Sequence, residues 1–291
     1  MKTLISFARV SRDLCRRALL VLAILSLVFG FASRVVANRR SQAQQDLAPL
    51  QPEIEKQKLR LNAVETEERR DAVMRLGAFH RADASRAVLS ALTDSAPIVR
   101  VAAAVAVGSL PPEESTRLLI PMLNDRDPFV RQEVAYVLGG TQNRRAVAAL
   151  VERLSSDKDD GVRGAAAVAL GMIRDEEAVV PLVQVLSPGG VLPRGARRRK
   201  TKENSFVLRA AARSLGEIGS RAAVPALIEA LSNDTLADDI RREAAQSLGL
   251  IADPSAAPAL RAATSGHDPH LSLVAFEALR KIELAAPRKL P

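Results

Sequence analysis

A short motif recurs along the chain at nearly constant spacing, and it constrains the fold more than any other feature of the sequence. Each copy begins with an apolar residue followed by Arg, continues with small residues and ends with a glycine. The arginines lie 31, 32, 46 and 33 residues apart at Arg100, Arg131, Arg163, Arg209 and Arg242. A repeated unit of this length is typical of a solenoid, in which each unit contacts only its neighbours. The long interval indicates an insertion of roughly 14 residues rather than a lost unit.

Each unit reads as two helices joined by a tight turn, and Ser205–Leu231 shows this most clearly. Its first half places apolar residues on one face of a helix, and Leu215 is predicted to be buried between units. We predict that Gly216 and Gly219 end this helix, because Gly tolerates the left-handed conformation that closes a helix. The second half has a similar apolar face, with Pro225 near its start. Such a pair needs a neighbour on each side to bury both faces.

The repeated pattern resembles the HEAT-repeat family, in the short subtype shared with phycobilisome (bilin) lyases. The resemblance rests on Val-Arg-x-Ala-Ala-x-x-Leu-Gly followed by Ala-Val-x-x-Leu-x-x-x-Leu, and it covers about residues 67–283. It implies an all-α fold, an α-α superhelix or HEAT-like solenoid of about six helix pairs over residues 66–284. It also implies that the second helices line a concave binding face. The arginines would then form a structural ladder, each meeting an acidic residue of a neighbouring repeat.

The first 40 residues have the features of a signal peptide or a single-pass membrane anchor. A basic start is followed by the apolar run Ala18–Ala32, which extends to 20 residues at Ala37. Two interpretations remain open: cleavage near Ala37 followed by secretion, or an uncleaved helix that keeps residues 18–37 in the membrane. The excess of basic residues before the run predicts that the solenoid lies outside the cytoplasm, which is the periplasm in a Gram-negative bacterium.

Residues 41–65 are predicted to form a polar tether and a helix that caps the first repeat. Leucine and isoleucine at approximate heptad spacing leave a second interpretation open, a short coiled coil that pairs two chains. Residues 285–291 are predicted to be a tail.

The net charge of +9 is concentrated in two segments, with +7 in residues 1–40 and +5 in the insertion at residues 187–204. The remainder therefore carries −3 and no Trp, which argues against a nucleic-acid-binding surface on the repeats. The insertion is either a solvated loop or an electrostatic contact to an acidic protein, an anionic lipid or a polyanion. Its six cations are Arg194, Arg197, Arg198, Arg199, Lys200 and Lys202.

No group of residues in the sequence points to catalysis, a cofactor or a metal. His267 and His270 flank Asp268, but Asp268 is better explained as the N-cap of a helix. The repeat-built hydroxylases of deoxyhypusine resemble this fold and need His-Glu pairs for iron, and the chain contains no His-Glu dipeptide. A bilin lyase-like enzyme and a nucleic-acid-binding HEAT protein stay as alternatives, disfavoured by the export signal and by the charge of the repeats.

We therefore expect a non-enzymatic scaffold, membrane-tethered or exported, that binds another protein on the concave face. Its contacts are expected from polar positions of the second helices, where mixed charge favours a protein over a polyanion. The candidate residues are Arg145, Glu152, Glu177, Gln184, Arg221 and Glu229.

Overall fold

The computed structural model describes residues 50–187 and 203–285, and all regular elements in these ranges are helical. Helix α1 (Leu50–Arg60) comes first, and the thirteen helices after it alternate between long and short. The long helices are α2 (Thr66–Ala78), α4 (Pro97–Val107), α6 (Pro128–Gly140), α8 (Asp160–Ile173), α10 (Ser205–Ile218), α12 (Asp238–Ile251) and α14 (Pro269–Ala285). The short helices are α3 (Ala82–Ala87), α5 (Pro112–Leu119), α7 (Val147–Ser156), α9 (Val179–Leu186), α11 (Val224–Ser232) and α13 (Ala257–Thr264).

Each long helix is followed in sequence by a short helix, and each short helix packs mainly against the next long helix, so the six pairs are closed by α14. The predicted HEAT-like solenoid is therefore confirmed, and the repeated Val-Arg helix is the long helix of each pair. The predicted N-terminal signal or anchor lies outside the described residues. Within the described ranges, no helix is both long and apolar enough to span a membrane.

Most of the short helices begin with a single 3-10 turn that is fixed by a polar side chain. Before α7, for example, the side-chain oxygen of Asn143 accepts a hydrogen bond from the backbone N–H of Arg145 at 3.0 Å. Such capping satisfies an N–H that the turn would otherwise leave unpaired. Equivalent turns begin with Asp175, Ser220 and Asp253 before α9, α11 and α13.

The leucine that precedes the repeated glycine forms the centre of the core, as the sequence predicts. Leu215 is fully buried, and so are its equivalents Leu138, Leu170 and Leu248. This leucine is therefore a core position in each of these repeats.

The role predicted for Gly216 is wrong, because α10 continues through it and ends at Gly219, which has a φ of 78°. Gly216 instead allows the next long helix to approach. A Cβ at Gly216 would lie 2.8 Å from the Cα of Ser247 on α12, and one at Gly139 would lie 2.7 Å from the Cα of Ala169. These distances are too short for any side chain, so the repeated glycine sets the spacing between long helices.

The two layers of the stack differ in how closely their helices pack. Successive long helices contact each other along their length, whereas successive short helices meet at few points. That the second, short helices line a concave face stays a prediction.

Candidate functional site

A ladder of ion pairs runs along one edge of the stack, and Arg100 shows its geometry. The Arg100 guanidinium donates two hydrogen bonds of 2.8 Å to the Asp125 carboxylate of the next repeat. A third bond of 2.8 Å goes to the backbone carbonyl of Asp94, just before its own helix. Each arginine therefore joins two successive repeats. Because a planar guanidinium pairs two donors with a carboxylate, this contact also fixes the rotation between repeats.

The ladder is continuous over the first four repeats. Asp94 accepts from Arg69 through its carboxylate and from Arg100 through its carbonyl, so one residue links two rungs. The rungs are Arg69–Asp94, Arg100–Asp125, Arg131–Asp157 and Arg163–Glu203. Acidic partners in neighbouring repeats were expected from the family resemblance, whereas Arg69 was not, because its helix lacks the apolar residue before Arg.

The ladder holds its carboxylates in the charged form. The hydrogen bond from Arg69 keeps the pKa of Asp94 below its ordinary value, against the opposing effect of burial. At Asp125, burial would by itself raise the pKa. Hydrogen bonds from Arg100 and from the backbone N–H of Asp127 nevertheless leave the pKa of Asp125 lowered.

The register predicted for the last two arginines is wrong by one residue. In the first four repeats the ladder arginine stands eight residues before the buried glycine, whereas Arg209 and Arg242 stand seven before theirs. The equivalent residues are Leu208 and Arg241. Arg209 does pair with Asp239 of the next repeat at 3.0 Å, but its side chain is 46% exposed, against 5% for Arg100.

The ladder is thus interrupted in the second half of the stack. Leu208 has no charge to offer, and Gly266 stands where the acidic partner of Arg241 would be, six residues before the next ladder position. Arg241 turns back to donate to the carbonyl of Leu231 at 3.1 Å. A cavity of about 690 Å³ lies beside Arg241, lined also by Asp238 and Gly266.

The six residues predicted to bind a partner all belong to the short-helix layer. Arg145, Glu177 and Arg221 lie in the 3-10 turns, while the other three lie in α7, α9 and α11. Gln184 is half-buried and the other five are exposed.

Four of these residues already have partners within the chain, and one of them is Glu152, which pairs with the neighbouring Arg153. Arg221 lies 3.4 Å from Asp253, and Glu177 lies 3.8 Å from Arg144. Glu229 accepts a hydrogen bond of 3.0 Å from Ser187. The residues are spread over three repeats without a common cleft among the described pockets, and their role in binding stays a prediction.

Large apolar side chains are exposed mainly on the outer surface of the long-helix layer. Among the described residues of the helix pairs, Val180 is the one exposed large apolar side chain of the short-helix layer. The long helices of the first four repeats expose five, which we call the apolar zone. Its residues are Met74, Ile98, Val105, Phe129 and Met172.

The apolar zone contains an open groove of about 620 Å³ between α2 and α4. Met74, Ile98 and Val105 form its apolar walls, while small residues of both helices keep it open. Arg70 and His80 also line the groove. Concave apolar sites with few polar groups are typical binding sites. The sequence signal for this surface is the seven-residue spacing of Ile98 and Val105, which places both on one face of α4.

The same surface carries several charged side chains on α10 and α12, a region that we call the charged zone, although Leu250 of α12 is also exposed. Arg213 lies five residues after the ladder position of α10, where Met74 and Val105 stand in the first repeats. The charged zone comprises Arg209, Arg213, Glu217, Asp239 and Glu243. Burial raises the pKa of Glu243, with Arg213 and Arg209 opposing that shift.

The histidines near the last helix do not form a metal site with other ligands in the described ranges. Asp268 accepts a hydrogen bond of 3.0 Å from the backbone N–H of His270 and pairs with Arg242 at 2.8 Å. The predicted N-cap role of Asp268 is therefore confirmed. Over residues 50–187 and 203–285, no three His, Cys, Asp or Glu side chains lie together as metal ligands.

Two family models match the solenoid. The family described as HEAT repeats matches residues 58–136 and 116–199. The family described as PBS lyase HEAT-like repeat matches residues 207–233 and 240–266. The chain is a HEAT-repeat protein of the phycobilisome-lyase-like subtype. The change of model coincides with the insertion and with the interruption of the ladder.

Similar solved structures share the fold. An engineered protein is 21% identical, with a TM-score of 0.50, over 79% of this chain and 68% of that chain. The complex of CpcE and CpcF of phycocyanin lyase from Nostoc sp. PCC7120 is 24% identical, with a TM-score of 0.46, over 81% and 90%. Human deoxyhypusine hydroxylase in complex with glycerol is 19% identical, with a TM-score of 0.40, over 82% and 99%. Among curated protein sequences, none matches the chain significantly.

Proposed function

We propose that this protein is a non-catalytic scaffold that binds another protein through the apolar zone of its long-helix layer. The N-terminal segment would hold it at a membrane or direct its export. The observation that carries the proposal is the apolar groove between α2 and α4, which exposes Met74 and Val105 to solvent. Contiguous exposed apolar surface on a soluble fold marks an interaction site.

The arrangement of the two layers supports this choice of surface. The ladder and the close packing of the long helices hold the apolar zone on a rigid support, so little conformational entropy is lost when a partner binds. On the short-helix layer, by contrast, the side chains predicted as contacts are polar and partly engaged within the chain. A partner that offers an apolar segment therefore fits the long-helix layer better.

The membrane association of the scaffold is supported by the apolar run Ala18–Ala32 and the basic residues before it. A reporter fused after residue 291 should be accessible from outside the cytoplasm. A cytoplasmic reporter would contradict the export part of the proposal and leave the binding surface untouched.

The basic insertion is proposed as a second, electrostatic contact. Residues 188–202 lie outside the described residues, so the argument rests on the charge of that segment alone. Neutralising Arg197, Arg198, Arg199 and Lys200 should lower the association rate with an acidic partner, and its salt dependence, more than it raises the dissociation rate.

Two valines allow a matched test of the binding surface. Val105 is 54% exposed on the long-helix layer, and Val180 is 56% exposed on the short-helix layer. A photo-crosslinking amino acid placed at either position of the full chain, in the cells that make it, reports which layer contacts a partner. We expect a discrete adduct from position 105 that is lost when Met74→Glu is added, and none from position 180. An adduct from position 180 alone would contradict the proposed surface.

A further inference from the structure

Helix α14 closes the described stack with an apolar stripe on the side that faces away from α12. Leu271, Ala275 and Ala278 are buried against the preceding pair. On the opposite side Leu273 and Phe276 are exposed, and Leu284 lies on the same face about two to three turns further along. A terminal repeat of a solenoid is expected to present a polar outer face, so this stripe needs an explanation.

A further long helix in the same close packing does not fit this stripe. On α12 the forward side carries Ala245 and Gly249, and a Cβ at Gly249 would lie 2.8 Å from the Cα of Ala278. The equivalent positions of α14 hold Phe276 and Arg280. These large side chains exclude an approach at that distance, so the surface fits a helix at a wider spacing.

We propose that the stripe binds a second copy of this chain, with the two α14 helices antiparallel about a two-fold axis between Ala278 and Leu279. In this arrangement Leu273 of each copy lies opposite Leu284 of the other. Glu277 of each copy lies opposite Arg280 of the other. Glu277 and Arg280 are both at the surface, on the same face as the leucines.

The charges identify a second copy as the occupant. When two identical helices pair antiparallel, each residue lies opposite the residue at the same distance on the other side of the two-fold axis. The helix therefore needs an acidic and a basic residue at equal distances from the axis, and two apolar residues at equal distances further out. The stripe of α14 meets both conditions by itself, which is the self-complementarity that a two-fold interface requires. Two opposite-charge contacts and two leucine contacts then form at once.

The strength expected of this dimer follows from its size. One face of a 17-residue helix buries less than the roughly 1,200 Å² at which stable interfaces begin. The dimer is therefore reversible and depends on protein concentration, with a dissociation constant on the order of micromolar. The possible coiled coil within residues 41–65, the other candidate for pairing two chains, is separate in sequence and can be tested separately.

Sedimentation velocity of the full-length chain, in a fixed concentration of non-ionic detergent, tests the proposal. Wild type should dimerise reversibly, while Glu277→Arg and Arg280→Glu should each weaken dimerisation about tenfold or more through like-charge contacts. An equal mixture of the two variants should restore the dimer, because each carries one sign of charge at both positions. The double variant should also dimerise.

The controls separate this interface from the proposed binding surface. Val105→Glu should leave dimerisation unchanged, and the α14 variants should leave crosslinking from position 105 unchanged. A monomeric wild type, single variants that dimerise as wild type does, or a mixture that stays monomeric would each overturn the proposal. Because the mixture restores binding between variants, a folding defect cannot imitate the expected result.

Discussion

The two halves of the solenoid, α2–α9 and α10–α14, follow the same repeat but use it differently. In the first half a buried ladder joins the repeats, and the outer surface of the long helices is apolar. In the second half Leu208 and Gly266 interrupt the ladder, and the same surface carries Arg213 and Glu243 beside the exposed Leu250. The residues at the core positions are alike in both halves. The residues at the ladder positions and on the surface differ before and after the insertion. A repeat can therefore keep its packing while its edge and its surface change.

The largest expected effect is the same in both halves, because the core does not differ between them. Leu138→Ala and Leu215→Ala each remove a fully buried side chain and should cost about 2 to 5 kcal/mol of unfolding free energy. Denaturant unfolding measures the free energy lost in each variant. Amide hydrogen exchange, followed separately for α2–α9 and α10–α14, shows in which half of the solenoid the loss occurs. A loss well under about 1 kcal/mol at either position would show that the cores differ and that the comparison is wrong.

Replacing an arginine that pairs between repeats should lower the free energy of unfolding more in the first half than in the second. Arg131→Met removes the two hydrogen bonds that Arg131 donates to the buried Asp157 carboxylate, while Arg153 stays 3.8 Å from that carboxylate, and should cost about 2 to 3 kcal/mol. Arg242→Met breaks a pair that is more exposed on the arginine side and should cost less than about 1 kcal/mol. Equal losses in the same unfolding experiment would remove the distinction between the halves.

Acid should act with opposite sign on Asp94 and Asp125 of the first half and on Glu243 of the second half, although Asp253 and Asp268 of the second half also have a lowered pKa. The lowered pKa of Asp94 and Asp125 means that their contribution is present above about pH 4 and is lost as the pH falls through the folded-state values. The raised pKa of Glu243 means that its burial costs stability at neutral pH. That cost is relieved as the pH falls toward 4.5, the ordinary value for Glu.

Two variants isolate these contributions. Asp125→Asn should flatten the loss of stability below about pH 4, and Glu243→Gln should raise stability at pH 7 and remove the gain on mild acidification. Unfolding free energies measured from pH 3 to 7 provide the comparison. A stability of Glu243→Gln at pH 7 below that of wild type would contradict the burial of that charge.

The smallest expected effect comes from restoring a rung. Gly266→Asp places a carboxylate where the ladder of the first half has one, beside the partly exposed Arg241. A pair at that exposure should add up to about 1 kcal/mol, and Arg241→Met should abolish the gain. If Gly266→Asp still raises the free energy of unfolding in the presence of Arg241→Met, the new carboxylate acts on the backbone and not through Arg241.

The sequence was sufficient for the features that depend on spacing. Helix pairs, the buried leucines and the N-cap at Asp268 follow from periodicity and local hydrogen bonding. The register of Arg209 and Arg242 was misjudged because neighbouring arginines look alike until their distance from the glycine is counted. The buried role of Gly216 depends on a contact with Ser247, and such contacts between distant residues leave no local signal.

The choice of surface was the least predictable feature. Periodicity identifies which face of a helix is buried, but it does not show which exposed apolar side chains line a groove. The family resemblance led to the expectation that the short helices bind through Glu229 and its neighbours, and that expectation stays a prediction. Val105 and Met74, which stand on the opposite layer, look like ordinary members of an apolar helix until the fold shows them exposed.

The affinity of a partner captured from position 105 tests the central claim most directly. Val105→Glu in the apolar zone should weaken its binding to the purified full-length chain by about tenfold or more, because a charge is buried in an apolar contact. Val180→Glu and Arg213→Glu should each change the affinity by less than about twofold. If Val180→Glu or Arg213→Glu weakens binding while Val105→Glu does not, the partner does not bind where we propose.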